Sequence, residues 1–548
     1  MAAPGPRVAL VYHWPMEATP SGRSRLAPFP AAAALALAGL YFLAERLTLG
    51  EIGFPLDDSY IHLQFARQLA AGDGLSFNPG ELVTGSSSPL WTALLSLGFL
   101  LPGLSLIWPK LLGVAALLAT VFGTRQLLAQ LGAQPFYQYA GALLVATSPW
   151  LTWSALSGME VLLFAALILW TCVLAVADEE RRPEAPGLGP YLLASLAALA
   201  RPEGMLLLGL LFLCRLCRLQ RGENGALKLA FGASAGLAKA ALLVAVVVLP
   251  LFAFNLAIGG SPWPSSMTAK TVPDDSLLPN LDYLSTALIV LWDGGGPMLF
   301  LAVAGFAALL QRAARGRTSS LLPGLFLAGL PLAYSFMASG DAQPPVGNFG
   351  RYLFPLLPLQ VVLAQLGIEL AMERGRAGAL PGRFRLALPA LALVLLLLMQ
   401  GWTKPLFGIR RYALNVKNVH GSDVAAARFL AKILPAEAVI ATQDIGAIKL
   451  LLPNKVIDLA GLVTPEVVPI LHEESPVYWE QRLYDYLAAE KPDLVVVFTD
   501  SFPGMTSGRV GNLAPLASFT LDTNITMAGD ELMILRTPWC RFPLTAGS

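Results

Sequence analysis

Charge is what this sequence has least of. Only 13% of its 548 residues are Asp, Glu, Lys or Arg, against about 25% in an ordinary soluble chain. The formal net charge is +1, and no basic or acidic tail appears, so nothing global argues for nucleic acid as a partner. The four cysteines, Cys172, Cys214, Cys217 and Cys540, show no metal-ligand spacing with histidine, and three lie in apolar or membrane-edge stretches. A disulfide framework is therefore not expected. No G-x-G-x-x-G or Walker pattern is present, which leaves a nucleotide cofactor unsupported. An internal repeat of the kind common in transporters is also missing.

What is present is hydrophobic length. Apolar residues make up 55% of the chain and mean hydropathy is +0.61, the composition of an integral membrane protein. Stretches long enough to cross about 30 Å of hydrocarbon recur from Phe29 to Trp402, and about eleven spans are predicted. Residues 403–548 instead alternate polar and apolar positions at ordinary charge density, the texture of a soluble domain. Arg7, Arg23 and Arg25 precede the first apolar run, Phe29 to Leu47, and no small-residue cleavage site follows it. We read an uncleaved first helix that starts in the cytoplasm.

Basic clusters at Arg215/Arg218/Arg221, Arg312/Arg315/Arg317 and Arg374/Arg376/Arg383/Arg385 lie between apolar runs. The positive-inside rule puts them in the cytoplasm, which makes the soluble domain extracytoplasmic. Two arrangements of the first half satisfy this. In one, Pro89–Gly103 spans, Leu192–Leu213 is a single helix, and Glu160 falls inside. In the other, which we prefer, Pro89–Gly103 is interfacial and Leu192–Leu213 is a pair of helices broken at ARPEG. Asp57, Asp58, Glu160, Arg201 and Glu203 then all reach the outer face, while Arg181 and Arg182 are cytoplasmic. The first extracytoplasmic loop covers about residues 49–108.

That loop contains FPLDDSYIHLQFARQL, residues 54–69. Ile61, Phe65 and Leu69 recur at i, i+4, i+8, which predicts a short amphipathic helix at the membrane surface with Asp57 and Asp58 at its amino end. One aspartate suffices to cap a helix. A second at a lipid boundary costs desolvation and repulsion, and would serve as a base or a cation ligand. Glu160 of SGME opens an apolar run, where it is either a cap or a site residue. Arg201 and Glu203 flank Pro202 inside an apolar region, and charge at membrane depth is rarely kept for packing. Lys270 and Arg351 sit near later spans, as snorkelling anchors or as anion ligands. Carboxylates and cations converging on one face suit an enzyme that holds a lipid-linked phosphate and takes a proton from an acceptor.

Together, DDSYIHLQFARQLAAGDGLSFNPGE, TGSSSPLW, SGME, ARPEG, AKT, GRYLFPLLPL, QDIGAIKLL and VIDLAGLV resemble, in order along nearly the whole chain, the GT-C membrane glycosyltransferases. The arabinofuranosyltransferase B-like branch is the most similar. Protein O-mannosyltransferases and aminoarabinose transferases of lipid A are more distant kin. The resemblance implies a multi-spanning α-helical membrane protein of GT-C type, with a transmembrane catalytic domain over residues 1–402 and an extracytoplasmic α/β domain over 403–548. It implies location in the plasma membrane and an inverting transfer from a polyprenyl-phosphate sugar to a glycan, lipid or protein acceptor of the envelope.

By the same resemblance Asp57 or Asp58 would be the catalytic base, Asp57 by the family's usual pattern with Asp58 orienting it or capping the helix, Glu160 the second acid, and Arg201, Lys270 and Arg351 the phosphate ligands, with Glu203 and His62 beside them. TGSSSPLW and SSMTAKT depart from the branch at positions that line donor and acceptor sites, so the sugar, a pentose such as arabinofuranose included, is not fixed. A divalent cation at Asp57/Asp58, with His62 one turn on, is a further option. The rival from another class is a transporter or lipid flippase, and an envelope assembly protein is a third. In the soluble domain, AVIATQDIGAIKLLL, KVIDLAG and YDYLAAEKPDLVVVFTD read as strand–helix, strand and helix–strand, with an antiparallel pair in TLDTNITMAGDELMIL. Asp444, Asp458 and the turn at Gly446 either line a cleft facing the membrane or cap helices.

Overall fold

The computed structural model describes residues 28–183, 185–221, 227–231, 235–269, 278–337, 350–376, 391, 404–472 and 478–543. Among them, five helices are long and apolar enough to cross a bilayer: Phe29–Leu49, Trp108–Gln130, Val161–Arg181, Ala235–Gly259 and Phe354–Met372. Leu281–Gly295 and Met298–Ala313 add a sixth if they count as one span, bent by 97°. The bend follows from sequence, since Gly296 adopts φ 54° and Pro297 precedes the second helix without an N–H to continue the first. The apolar run expected near residue 400 lies largely outside the described residues.

Two shorter segments take the form of the preferred arrangement. Pro89–Ser96 and its extension to Phe99 are too short to cross. Gly189–Ala200 and Gly204–Leu216 are separate helices broken at Arg201–Glu203. They pack back on each other so closely that a Cβ on Gly204 would lie 2.5 Å from the Ala198 Cα. The freed ends of this broken pair are what let charged side chains enter at membrane depth with partners.

The bundle has two polar ends. At one, Arg215 donates to the Arg182 carbonyl at 2.9 Å, Arg312 and Arg317 pair with Glu180 at 3.2 and 2.9 Å, and Glu179 accepts from Thr318 and the Ser319 N–H. At the other, Glu160, Arg201, Glu203, Asp58 and Arg351 come together. Arg181/Arg182 and Glu160 therefore sit at opposite ends of the Val161–Arg181 helix.

Residues 404–543 build the second layer. A five-stranded sheet runs in the order 455–458, 439–442, 494–498, 531–536, 514–520; the first three strands are parallel and the last two antiparallel. The antiparallel partner lies earlier than expected, at Ala514–Thr520, where Leu516 and Phe519 face inward, while 521–530 form the connection. Leu494–Phe498 is buried at every position, as a central strand with covered faces must be.

The helix that follows Phe54–Leu56 spans Asp57–Ala71. Its apolar stripe does not rest on lipid. Phe65 is fully buried and stacks near Phe77, and both join the core under the sheet. The surrounding loop clamps the sheet as well: the Asn78 amide pairs with the Val456 N–H and carbonyl, both at 3.0 Å, and so satisfies an edge strand, while Arg67 donates to the Lys449 and Leu450 carbonyls. The GDGLSFNPGE segment thus fastens the bundle to the sheet domain.

Candidate active site

The two adjacent aspartates divide their labour. Neither caps its own helix, whose N-cap is Leu56 without a side-chain bond. Asp57 instead caps a helix of the sheet domain, accepting from the Gly446 and Ala447 N–H groups at 2.6 and 2.7 Å. Both of its oxygens are committed there, and burial pushes its carboxyl up to about 7 despite those two bonds. Asp58 is 30% exposed at the side chain and pairs with the Arg351 guanidinium.

Arg351 is buried, and its Nη2 also meets the Tyr352 hydroxyl at 3.3 Å. Its Nε and Nη1 have no hydrogen-bond partner among the described residues. It is buried and paired rather than snorkelling to solvent.

The second cluster is built on the broken helix pair. Arg201 extends from the break, donating from Nη1 to Glu160 at 2.5 Å and from Nη2 to Glu203 at 2.7 Å. The Tyr334 hydroxyl also donates to Glu203. His62 Nε2 lies 3.2 Å from the other Glu160 oxygen. Glu160 leaves its own helix uncapped to take these partners. Tyr352 joins the two clusters, with the Arg201 and Arg351 guanidiniums 5.0 and 5.2 Å from its ring centre. Asp58, Glu160, Arg201, Glu203, His62 and Arg351 therefore form one continuous site, and Asp57 sits at its sheet-domain wall. Lys270 lies outside the described residues.

In this arrangement Asp57 accepts from two backbone amides and Asp58 pairs with the Arg351 guanidinium. Among the described residues, no three His, Cys, Asp or Glu side chains stand where they could share a metal ion.

Sequence reasoning missed several members. Tyr352 could have been found, since it is adjacent to Arg351 in GRYLF. Tyr334 gave no signal. A third buried pair, Glu45 and Lys110 at 2.9 Å, was also hidden inside apolar runs; Lys110 bonds the Tyr412 hydroxyl and the Leu156 carbonyl, tying the first helix to three others.

Residues 411–535 match a family model described as "Domain of unknown function (DUF8728)". Over 369 residues the chain is 29% identical to the terminal β-(1→2)-arabinofuranosyltransferase of Mycobacterium tuberculosis, covering 60% of this chain and 56% of that protein. The match thus spans little more than half of that relative's length. Two solved structures share the architecture. ArnT from Cupriavidus metallidurans bound to undecaprenyl phosphate is 13% identical with a TM-score of 0.54, covering 94% of this chain and 100% of ArnT. AglB, the archaeal oligosaccharyltransferase from Archaeoglobus fulgidus, in complex with an inhibitory peptide and a dolichol-phosphate, is 11% identical with a TM-score of 0.53, covering 95% and 76%. The chain has the fold of the GT-C membrane glycosyltransferases and, in sequence, is similar to their arabinofuranosyltransferase branch.

Proposed function

We propose that this protein is an inverting glycosyltransferase that moves a sugar from a polyprenyl-phosphate donor to an acceptor of the cell envelope, on the outer face of the plasma membrane. In this reading the chain crosses the membrane about eleven times, with its amino terminus in the cytoplasm. Residues 1–402 bind the donor and 403–548 form the extracytoplasmic domain.

The observation that carries the reading is the Asp58–Arg351 pair. A partly exposed carboxylate is held by a buried guanidinium that keeps two nitrogen donors uncommitted among the described residues. Asp58 takes the proton of an acceptor hydroxyl, whose oxygen attacks the anomeric carbon. The bond from that carbon to phosphate breaks, and polyprenyl phosphate leaves with the electron pair. Arg351 donates to the phosphate oxygens as charge develops there. Phosphate needs no proton to leave, so the two-carboxylate logic of glycoside hydrolysis does not apply.

Arg201 has a different role. Each of its three nitrogens already donates to Glu160 or Glu203, so it holds two carboxylates and the Tyr352 ring in place. Asp58, Glu160 and Glu203 outnumber Arg201 and Arg351, and a bound phosphate adds further negative charge. Lys270 supplies the next cation. The transporter reading has less support, because an internal repeat of the kind common in transporters is missing from the sequence.

The test is a panel of polyprenyl-phosphate sugars, pentoses and hexoses, incubated with purified protein and a soluble glycoside that supplies the acceptor hydroxyl. Release of polyprenyl phosphate from at least one donor is expected. Release from none, with lipid-linked donor moved across a vesicle bilayer instead, would overturn the reading in favour of a flippase.

A further inference from the structure

A cavity of about 150 Å³ opens between the first helix, Phe29–Leu49, the short helix Pro149–Leu156 and the helix that leads into the sheet domain, Lys404–Val419. Tyr41, Trp150, Trp153 and Phe407 bring aromatic rings to it, and Asp293 and Arg411 bring one charge of each sign. None of these six belongs to the transfer site. Gly408 lets the third helix come close to the other two, since a Cβ there would run into the Tyr41 hydroxyl and meet the Pro149 Cβ at 3.0 Å. The wedge beside that contact is left unfilled.

Trp150 organises the wall. Its ring stacks on Phe354 with centroids 5.1 Å apart and lies 5.0 Å from the Arg411 guanidinium, while its indole N–H donates to Asp293 at 3.0 Å. Trp153 is fixed by its own N–H, which donates to Asn415 at 3.0 Å. Both charges are thus set against the same ring. Phe354 follows closely on Arg351 in the chain, so the cavity lies at the end of the bundle that holds the transfer site. The first helix is long and apolar enough to cross a bilayer and leaves Leu40, Leu43 and Leu47 exposed, as is Phe407 beside the cavity. In a bilayer that apolar surface meets acyl chains, and Trp and Tyr rings gather where chains give way to headgroups.

A ligand for this wedge has to suit both charges from the lipid side. A simple anion is drawn to Arg411 and repelled by Asp293, and a simple cation meets the reverse. A zwitterion suits both. We propose that the cavity binds the headgroup of phosphatidylethanolamine, seated between the first helix and the helix that carries the sheet domain. The ammonium donates to Asp293 and packs against the aromatic rings, the phosphate accepts from Arg411, and the acyl chains run along the exposed leucines of the first helix. The bound lipid braces the Lys404–Val419 helix against the bundle, which ties the seating of the sheet domain to the composition of the membrane.

The experiment titrates dioctanoyl phosphatidylethanolamine or dioctanoyl phosphatidylglycerol into the purified full chain in detergent and reads bound lipid by native mass spectrometry. Phosphatidylethanolamine is expected to bind about tenfold more tightly than phosphatidylglycerol, the worth of one charge-assisted hydrogen bond at Asp293. Asp293→Asn should remove that preference, and Arg411→Gln should weaken both lipids by about tenfold. Glycerophosphoethanolamine, the same headgroup without acyl chains, should bind about a hundredfold more weakly or worse. A wild type without the preference, or a preference that survives Asp293→Asn, overturns the proposal, because either result means lipid held only by the apolar surface. Equal affinity for glycerophosphoethanolamine overturns it too, since the ligand would then be a soluble one. The wild-type comparison needs no variant to fold, and binding is read without turnover, so the result stands apart from the transferase reading.

Discussion

Asp57 caps the helix that begins at Gly446, 389 positions along the chain, through N–H···O bonds of 2.6 and 2.7 Å. The approach is possible because Gly446 has no side chain: a Cβ there would lie 2.3 Å from the Asp57 carbonyl oxygen and 2.8 Å from each carboxylate oxygen. A first-loop aspartate and a sheet-domain glycine thus hold the two halves together.

Gly446→Ala should therefore damage docking more than local conformation, since the clash is with Asp57. A loss of about 1–3 kcal/mol is expected, of the order of an overpacked core position, and Asp57→Ala should lose about 1–2 kcal/mol as an N-cap deletion. The double variant should cost less than the sum, because both changes break the same contact. Thermal unfolding in detergent, with all three variants, measures this; strict additivity would mean that the two residues act independently.

The junction should also weaken as pH rises. Burial raises Asp57 to about 7 and Asp458 to about 6, and pushes Asp423 and Asp444 up as well. Unfolded aspartates titrate near 3.9, so between about pH 4 and 7 the unfolded chain has released protons that the folded chain still holds. Stability from these groups is fully present below the unfolded value and lost as pH climbs through the folded ones. The opposite trend comes from Glu51, Glu81 and Asp493, which His420 and Arg428, Lys455, and Arg541 respectively draw below the usual range; their contribution is lost as pH falls. A higher Tm is expected near pH 5 than at pH 8, with a shallower slope in Asp57→Asn. A Tm that rises from pH 5 to 8 would contradict the assignment.

Much of this was legible in the sequence because the physics was local. Hydrophobic length marked the long helices, Pro202 beside two charges marked the break, and alternation with turn residues marked the parallel strands. Partners were not legible. Asp57 has the chemistry of a helix cap, and the sequence indicated that much, but the helix it caps lies in another domain. Arg201 looked like the leading phosphate ligand because charge in an apolar run is conspicuous, yet Glu160 and Glu203 occupy its donors. Glu45 and Lys110 went unnoticed because Glu45 sits beside Arg46 at the end of an apolar run, Lys110 is a lone charge in one, and the two are separated by 65 positions.

That last pair gives a test of how the bundle tolerates buried charge. Both residues are almost fully buried, and Lys110 is further held by Tyr412, the Leu156 carbonyl and the Phe54 ring. Removing one partner strands the other in an apolar interior, at a cost of about 3–5 kcal/mol. Lys110→Met and Glu45→Gln should each lower Tm sharply or block folding. Lys110→Met with Glu45→Gln should recover much of the loss, because no unpaired charge remains. If the double variant is no better than the singles, the hydrogen bonds to Tyr412 and Gly53, rather than charge pairing, dominate there.

The sharpest functional prediction separates neighbours. Asp57 and Asp58 are adjacent and chemically identical, so only their surroundings distinguish them. Asp57 is turned into the sheet domain with both oxygens bonded to backbone N–H groups, whereas Asp58 is exposed enough to meet an acceptor and is oriented by the Arg351 guanidinium. A base must accept a proton from substrate, and an oxygen already occupied by an amide is badly placed to do so. Asp58→Asn should lower kcat for sugar transfer by about 10²–10⁴-fold, the usual span for loss of a general base, and should also lower Tm, because the buried Arg351 guanidinium loses its carboxylate partner. Asp57→Asn swaps one acceptor oxygen for an NH₂ that meets an N–H group, so its main effect should be on stability, with a smaller fall in kcat. Initial rates and melting curves on the same preparations decide the matter. A greater kcat loss in Asp57→Asn than in Asp58→Asn would move the base to Asp57 and require its side chain to leave Gly446 and Ala447 during turnover.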